Sequence, residues 1–460
     1  MAQRRAQTSH DAPDTAPRGE YLIRGGHVLS VDPEIGDIAE GDVHVRDGVI
    51  TGVAQKIDAP DAEVIDARDC VVMPGFVDVH WHMWNSVMRG MSHDAVQYFG
   101  LFHLAQFYTA RDHYWAVRYA ATEAVNAGLT ACHNWAHGLR DFADAEAEMQ
   151  ALADSGLRAR FGYGDTLPGL DVSIGEAELK RALAWLDEHG DGRVSLGIAI
   201  QNGKALPEEV CVARGLGLRT IAPHTDFSGH LDLVGPDFLY THGAGASAEE
   251  IAFVAATGMK VGLCPSTDPL VGAGLPPLQE MLAGGVRFED IGFSVDVNCQ
   301  TAVDPFASMR ILLHAARIAQ RPETSFTDVV AQDFFGDGPQ APLMHPREVI
   351  ELATLGGARV LGLDEVTGSL TPGKRADVIL VRTDQINMLP APGNDPSLQL
   401  VQSAGPANVD TVIADGRILK QDGRLRHADA AAVSAQAVAT QVGIRERASR
   451  DASPDARPRT

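Results

Sequence analysis

PGFVDVHWHMWN, residues 74–85, is the stretch on which the reading of this chain turns. An apolar run closes on His80 and His82, one residue apart. Side chains two apart on a strand share a face, so both imidazoles project together from the strand end. Outward from this stretch, other β-rich runs follow: GLTACHN, LRARFGYG, RVSLGIAI, LRTIAPH, FLYTHG, MKVGLCPS and IGFSVDVN. Helical stretches such as DHYWAVRYAATEAVNAG and EAELKRALAWLDEHG separate them, and SAEEIAFVAATG opens with a capping box of Ser247 and Glu250. Alternating β and α units imply a parallel sheet. With the strand before His80 there are eight β runs, enough to close a barrel whose active site sits at the C-terminal mouth.

The expected fold class is therefore α/β: a distorted (β/α)₈ TIM barrel over residues 73–365, with a small composite β-sandwich built from 20–72 and 366–428. Both flanking segments, as in GDVHVRDGVITGVA and VDTVIADGRILKQDGRL, mix β-branched residues with Gly and Asp turn signals. Residues 1–19 read as a disordered tail, and 429–460 as a C-terminal helix and a disordered tail.

With 45% apolar residues the chain can bury a large core. No uninterrupted apolar run reaches the roughly 18 residues of a membrane span, and the polar N-terminus lacks the apolar region of a secretory signal. A net charge of −23 without a Lys/Arg cluster argues against a nucleic-acid partner. Cys70, Cys132, Cys211, Cys264 and Cys299 show no CxxC spacing. They point to a reducing cytoplasm and to neither a disulfide framework nor a thiolate metal site.

Three more ionisable residues follow buried runs. His224 closes LRTIAPH, His242 closes FLYTH and Asp296 closes IGFSVD. Imidazole and carboxylate donors gathered at successive strand ends suit Zn²⁺ or Fe²⁺ better than Ca²⁺ or Mg²⁺.

In PGFVDVHWHMW, YTHGAGASAEEI, VGLCPSTDPLVGAGLPPLQEML, GFSVDVN and ATLGGARVLGLDEVTGSLTPGKRADVILV, the chain resembles the amidohydrolase superfamily, in its cytosine deaminase and triazine hydrolase branch. The likeness spans roughly residues 20–425. It implies one divalent metal ion, Zn²⁺ first and Fe²⁺ second, with His80, His82, His224 and Asp296 as ligands. It implies Asp296 as general base and His242 beside the activated water and the substrate. The implied activity is hydrolysis of a C–N bond in a small cyclic or heteroaromatic compound, as a deaminase or a cyclic amide or amidine hydrolase. A homo-oligomer is also implied.

The resemblance breaks at one position. The branch carries a Glu three residues after the histidine of LRTIAPH, whereas PHTDFSGH places Phe227 there. Asp226 is the first substitute for that proton carrier and Asp232 the second; for both the alternative is a solvated loop carboxylate. Losing the Glu opens a second class of reaction, a dechlorinating hydrolase or a metal-dependent hydratase or lyase. The short segment from His224 to His242 leaves little room for a helix. Trp84, His137 and Gln201 are candidates to touch substrate, with packing, capping and loop satisfaction as their plainer roles. Trp84, Asn85 and Trp135 could wall an aromatic pocket, and Met88, Met91 and Phe102, at roughly helical spacing, are expected to pack over it. Cys264 reads as packing, not as a nucleophile, because no base is paired with it.

Overall fold

The computed structural model describes residues 17–164, 175–201, 203–224, 227–321, 324–336, 342–391 and 393–451. Five strands come first: β1 (Tyr21–Leu29), β2 (Asp37–Arg46), β3 (Val49–Ala54), β4 (Glu63–Asp66) and β5 (Cys70–Pro74). The barrel strands follow: β6 (Phe76–Trp81), β7 (Leu129–Ala136), β8 (Arg158–Gly164), β9 (Val194–Ile200), β10 (Ile221–Pro223), β11 (Leu239–Thr241), β12 (Lys260–Leu263) and β13 (Ile291–Phe293). The chain ends with β14 (Val378–Arg382), β15 (Val409–Ala414), β16 (Arg417–Gln421), β17 (Arg424–Leu425) and the helix Ala430–Asp451.

β1–β5 and β14–β17 form one nine-stranded sheet, joined where β5 pairs antiparallel with β14. Its two ends share a core in which Ile23, Val45 and Val72 pack with Val378, Leu380 and Ile413. Asp415, just after β15, ties this sheet to the barrel. It accepts from Arg18 Nε at 2.9 Å, Arg375 Nε at 2.5 Å and Arg158 Nη2 of β8 at 3.5 Å, and also from Arg417.

The barrel strands form a five-stranded parallel sheet, β6 to β10, and a three-stranded one, β11 to β13. Single parallel bridges close the ring, Ile221 with Phe238 on one side and Trp81 with Asp296 on the other. The second seam positions the site. Asp296 N donates to His80 O at 3.0 Å, and His82 N donates to Asp296 O at 2.8 Å.

Val77 and Val79 of β6 point into the barrel, packing with Ala131, Trp135, Ala199 and Ala222. Glycines on the facing strands make room: a Cβ at Gly262 or Gly292 would lie 2.9 or 2.8 Å from a Val79 methyl. Strict alternation from Val79 would turn His80 outward. Between Asp78 and Trp81, however, three steps of β6 pass two of β7, Cys132 to Asn134. This bulge re-aims both histidines inward, as bulges beside active sites commonly do.

Among the described residues between His224 and His242, the helical structure is the short, kinked 3-10 segment Ser228–Leu233, in place of a barrel helix. Ser247 Oγ caps its helix by accepting from Glu250 N at 3.1 Å. The Glu250 carboxylate does not return to Ser247; it accepts from Tyr240 Oη at 2.7 Å, so the expected box is half formed. The C-terminal helix folds back over the mouth, where Gln441 Nε2 donates to Val87 O and Arg447 Nε to Phe107 O, both at 2.7 Å.

Candidate metal centre

At the barrel mouth His80 Nε2 and His82 Nε2 face each other at 3.1 Å, and each lies 3.4 Å from Asp296 Oδ1. Two imidazole nitrogens this close have lone pairs that repel unless a proton or a cation lies between them. Asp296 Oδ1 is buried without a hydrogen-bond partner, a costly state for an acceptor that nothing satisfies. Ligands 2.0–2.1 Å from a tetrahedral ion stand about 3.3 Å from one another. The three separations match that spacing, so the donor set fits a single ion. His224 stands slightly further back. Its ring centre is 4.6 Å from that of His80 and 5.6 Å from that of His82, its Nε2 lies 2.5 Å from Thr241 Oγ1, and one of its ring nitrogens comes within 4.8 Å of the other two histidines' donors.

Burial lowers the pKa of His80 and His82 well below the usual imidazole value, and neighbouring histidines lower it further. Both are held neutral, the form in which imidazole binds metals. Burial raises Asp296, against the pull of His242; a bound divalent cation acts in the opposite direction. Asp296 and His242 sit at φ 61° and φ 68°, left-handed conformations that a short polar side chain tolerates and that cluster at functional sites.

The outer side of His82 is also built. With Nε2 turned to His80 and Asp296, its Nδ1–H faces His137 Nδ1 at 3.0 Å, and Trp84 Nε1 donates to the same atom at 3.4 Å. His137 and Trp84, expected at the substrate, are fully buried behind His82 and do not line the cavity. A hydrogen-bond partner on the far nitrogen is what fixes a ligating imidazole's tautomer and orientation. Trp135 packs on His224 with ring centres 4.4 Å apart. Asn85 is buried and donates to Tyr98 Oη at 3.0 Å.

In front of the donors lies a cavity of about 820 Å³. Its wall includes Tyr98, Phe99, Phe102, Phe227, Tyr240 and Phe253, with Gln201, His242 and Asp296 as polar groups near the base. Glu249 and Glu250 stand on the wall, and no Lys or Arg does among the described residues. Phe227 thus puts a ring where the resemblance implies a carboxylate. Asp232 is exposed and does not line the cavity. Asp226 lies outside the described residues. Cys264 is buried, accepts from Ser294 Oγ at 3.1 Å and is pushed up to about 12, chiefly by burial, so it is an inert thiol.

The sequence reading missed Asp268. Its Oδ1 lies 2.7 Å from His242 Nδ1. The signal was present, since Asp268 is the carboxylate that follows VGLCPST, another strand-end run.

The sequence pattern described as "Amidohydrolase family" matches residues 207–419. A 5-methylthioadenosine/S-adenosylhomocysteine deaminase of Moorella thermoacetica is 30% identical, over 91% of this chain and 98% of that protein. A 5'-deoxyadenosine deaminase of Methanosarcina mazei is 27% identical, over 88% of this chain and 94% of that protein. Among solved structures, an adenosine deaminase from Xanthomonas campestris with bound zinc superposes with a TM-score of 0.78 at 21% identity, covering 93% of this chain and 99% of that one. An atrazine chlorohydrolase from Arthrobacter aurescens complexed with zinc gives 0.75 at 18% identity, covering 92% and 100%. No helix among the described residues is long and apolar enough to cross a membrane.

Proposed function

Because the chain belongs to the amidohydrolase family, we propose that it hydrolyses a C–N bond of a small heteroaromatic compound, with deamination as its leading form. His80, His82, His224 and Asp296 hold one divalent ion, Zn²⁺ in the first instance. The observation that carries this reading is the convergence of two imidazole nitrogens and one carboxylate oxygen at 3.1–3.4 Å. The ion would supply Lewis acidity, bringing the pKa of a water toward about 7.

The chain's own residues do the rest. Asp296 turns Oδ1 to the two imidazoles, which leaves its other oxygen to take a proton as general base. His242, on the cavity wall, stands beside the reacting carbon and turns its free ring nitrogen to the cavity. Gln201, also on the wall, hydrogen-bonds the substrate. The aromatic wall stacks on a planar ring. With Glu249 and Glu250 and no Lys or Arg among the described residues of its wall, the cavity favours neutral or cationic substrates over phosphorylated ones.

The test is ammonia release from 5'-deoxyadenosine, 5-methylthioadenosine and S-adenosylhomocysteine, the compounds named for the relatives, alongside pyrimidines, pterins and aminotriazines. Ammonia from at least one, abolished by a chelator and restored by Zn²⁺, is expected. Phe227 favours one second reading, because displacing chloride from an aromatic ring needs less acid assistance than expelling an amine. Chloride from a chlorotriazine, with no ammonia from any amine, would select it.

A further inference from the structure

Asp268 has no part in the roles assigned above, yet it is built into the site. It is 1% exposed. Its Oδ1 meets His242 Nδ1 at 2.7 Å, and its Oδ2 is buried with no hydrogen-bond partner. Together with Cys264 the pair lies close enough to suggest ligands of a second ion. The distance argues otherwise: 2.7 Å is a hydrogen bond, well short of the about 3.3 Å between two ligands on one tetrahedral ion. Nδ1–H of His242 is therefore donated to Asp268, and the nitrogen left to offer the cavity is Nε2.

We propose that Asp268 is the positioning residue for His242: it locks the ring in one tautomer and one orientation, so that Nε2 serves as the proton carrier of the reaction. This rests on the hydrolytic reading above. In hydrolysis of a C–N bond, the water oxygen bonds to carbon, the C–N bond breaks and the departing nitrogen gains a proton. Asp296 takes the proton from the adding water and hands it to Nε2, which gives it to the departing nitrogen, so both groups end as they began. Asp268 stays ionised throughout, countering the charge on the imidazole while it holds the extra proton. The layout of the cavity supports this assignment. The position three residues beyond His224 is occupied by the Phe227 ring, and Glu249 and Glu250 lie at the start of the helix Ala248–Thr257. Among the described residues of the wall, His242 is the one proton-carrying side chain, besides the proposed ligands, that is backed by a buried carboxylate.

Two measurements test the pair. The first needs no turnover: ¹⁵N–¹H spectra of ¹⁵N-histidine-labelled protein, metal-free and zinc-loaded, with His242 assigned from His242→Gln. His242 is expected to be protonated at Nδ1 in both states, and Asp268→Ala is expected to release it to the usual Nε2–H form. Nε2–H in the wild type, or an unchanged His242 signal in Asp268→Ala, overturns the proposal whatever the enzyme's substrate. The second is steady-state kinetics on 5'-deoxyadenosine. Asp268→Asn should lower kcat about 100-fold, leave KM within about threefold and leave the zinc content at the wild-type level. A loss of kcat in Asp226→Asn but not in Asp268→Asn would overturn the proposal. No turnover by the wild type on any amine, with the His242 tautomer as stated, would instead refute the hydrolytic reading and leave the pair standing.

Discussion

Gly262→Ala tests whether the barrel interior positions the metal donors. The new Cβ would sit 2.9 Å from Val79 Cγ2, whereas carbons rest about 3.5–4.0 Å apart. Val79 cannot simply rotate away, because a Cβ at Gly292 would lie 2.8 Å from its other methyl. One strand must move, at a cost of about 1–3 kcal/mol for overpacking a dense core. Val79 directly precedes His80, so the displacement should also weaken zinc binding. Val79→Ala removes the obstructing methyls, at about 2 kcal/mol for the lost packing. The double variant should then cost less than the sum of the two single ones by at least about 1 kcal/mol. Urea unfolding followed by tryptophan emission, with zinc affinity measured by competition with a chromophoric chelator, reads both effects. If Gly262→Ala unfolds at the wild-type midpoint, or if the two costs add, Val79 does not fill the space assigned to it.

Three further outcomes are expected. Asp415→Asn should lower stability by about 3–5 kcal/mol, because it strands buried arginines, as read from denaturant midpoints. Burial raises the Asp415 carboxyl, but Arg375 and Arg18 outweigh it and hold the group below its ordinary value. A depressed pKa gives stability that is present above the unfolded value of about 3.9 and lost as pH falls toward the folded value. The wild type should therefore lose its advantage over Asp415→Asn progressively as pH falls below about 3.9; a gap that stays constant on acidification would count against the ion cluster. Phe102→Ala should raise KM about 2–12-fold with kcat nearly unchanged, matching an aromatic contact of about 0.5–1.5 kcal/mol; an equal fall in kcat would mean that the ring acts in the transition state. Chelation should abolish turnover and Zn²⁺ should restore it, with activity tracking metal content; full activity of metal-free protein would remove the proposed mechanism.

Much of this architecture was legible because periodicity survives in sequence. Alternating β and α runs gave the barrel, and ionisable residues closing those runs named the five side chains that the structure gathers at its mouth. What stayed hidden depends on register and on side-chain direction. His80 and His82 share a face, as expected, but the bulge that turns that face inward left no mark in the run FVDVHWH. His137 and Trp84 follow strand ends and so read as substrate contacts, yet both turn backward to support His82. Asp268 was legible by the same rule that found Asp296, but a carboxylate four residues past Cys264 looks like a helix start until its distance to His242 is known. IGFSVD reads as one strand, whereas pairing with β12 ends at Phe293 and Asp296 is held by the closing seam with β6.

The account stands on a single ion held by His80, His82, His224 and Asp296. X-ray absorption at the zinc edge of the loaded protein, set beside His82→Ala, tests this most directly. The expected spectrum shows one zinc per chain, with imidazole nitrogens and carboxylate oxygen at about 2.0–2.2 Å, and His82→Ala retains little metal. A sulfur ligand at about 2.3 Å, or an unchanged zinc shell in His82→Ala, would place the ion elsewhere and contradict the account.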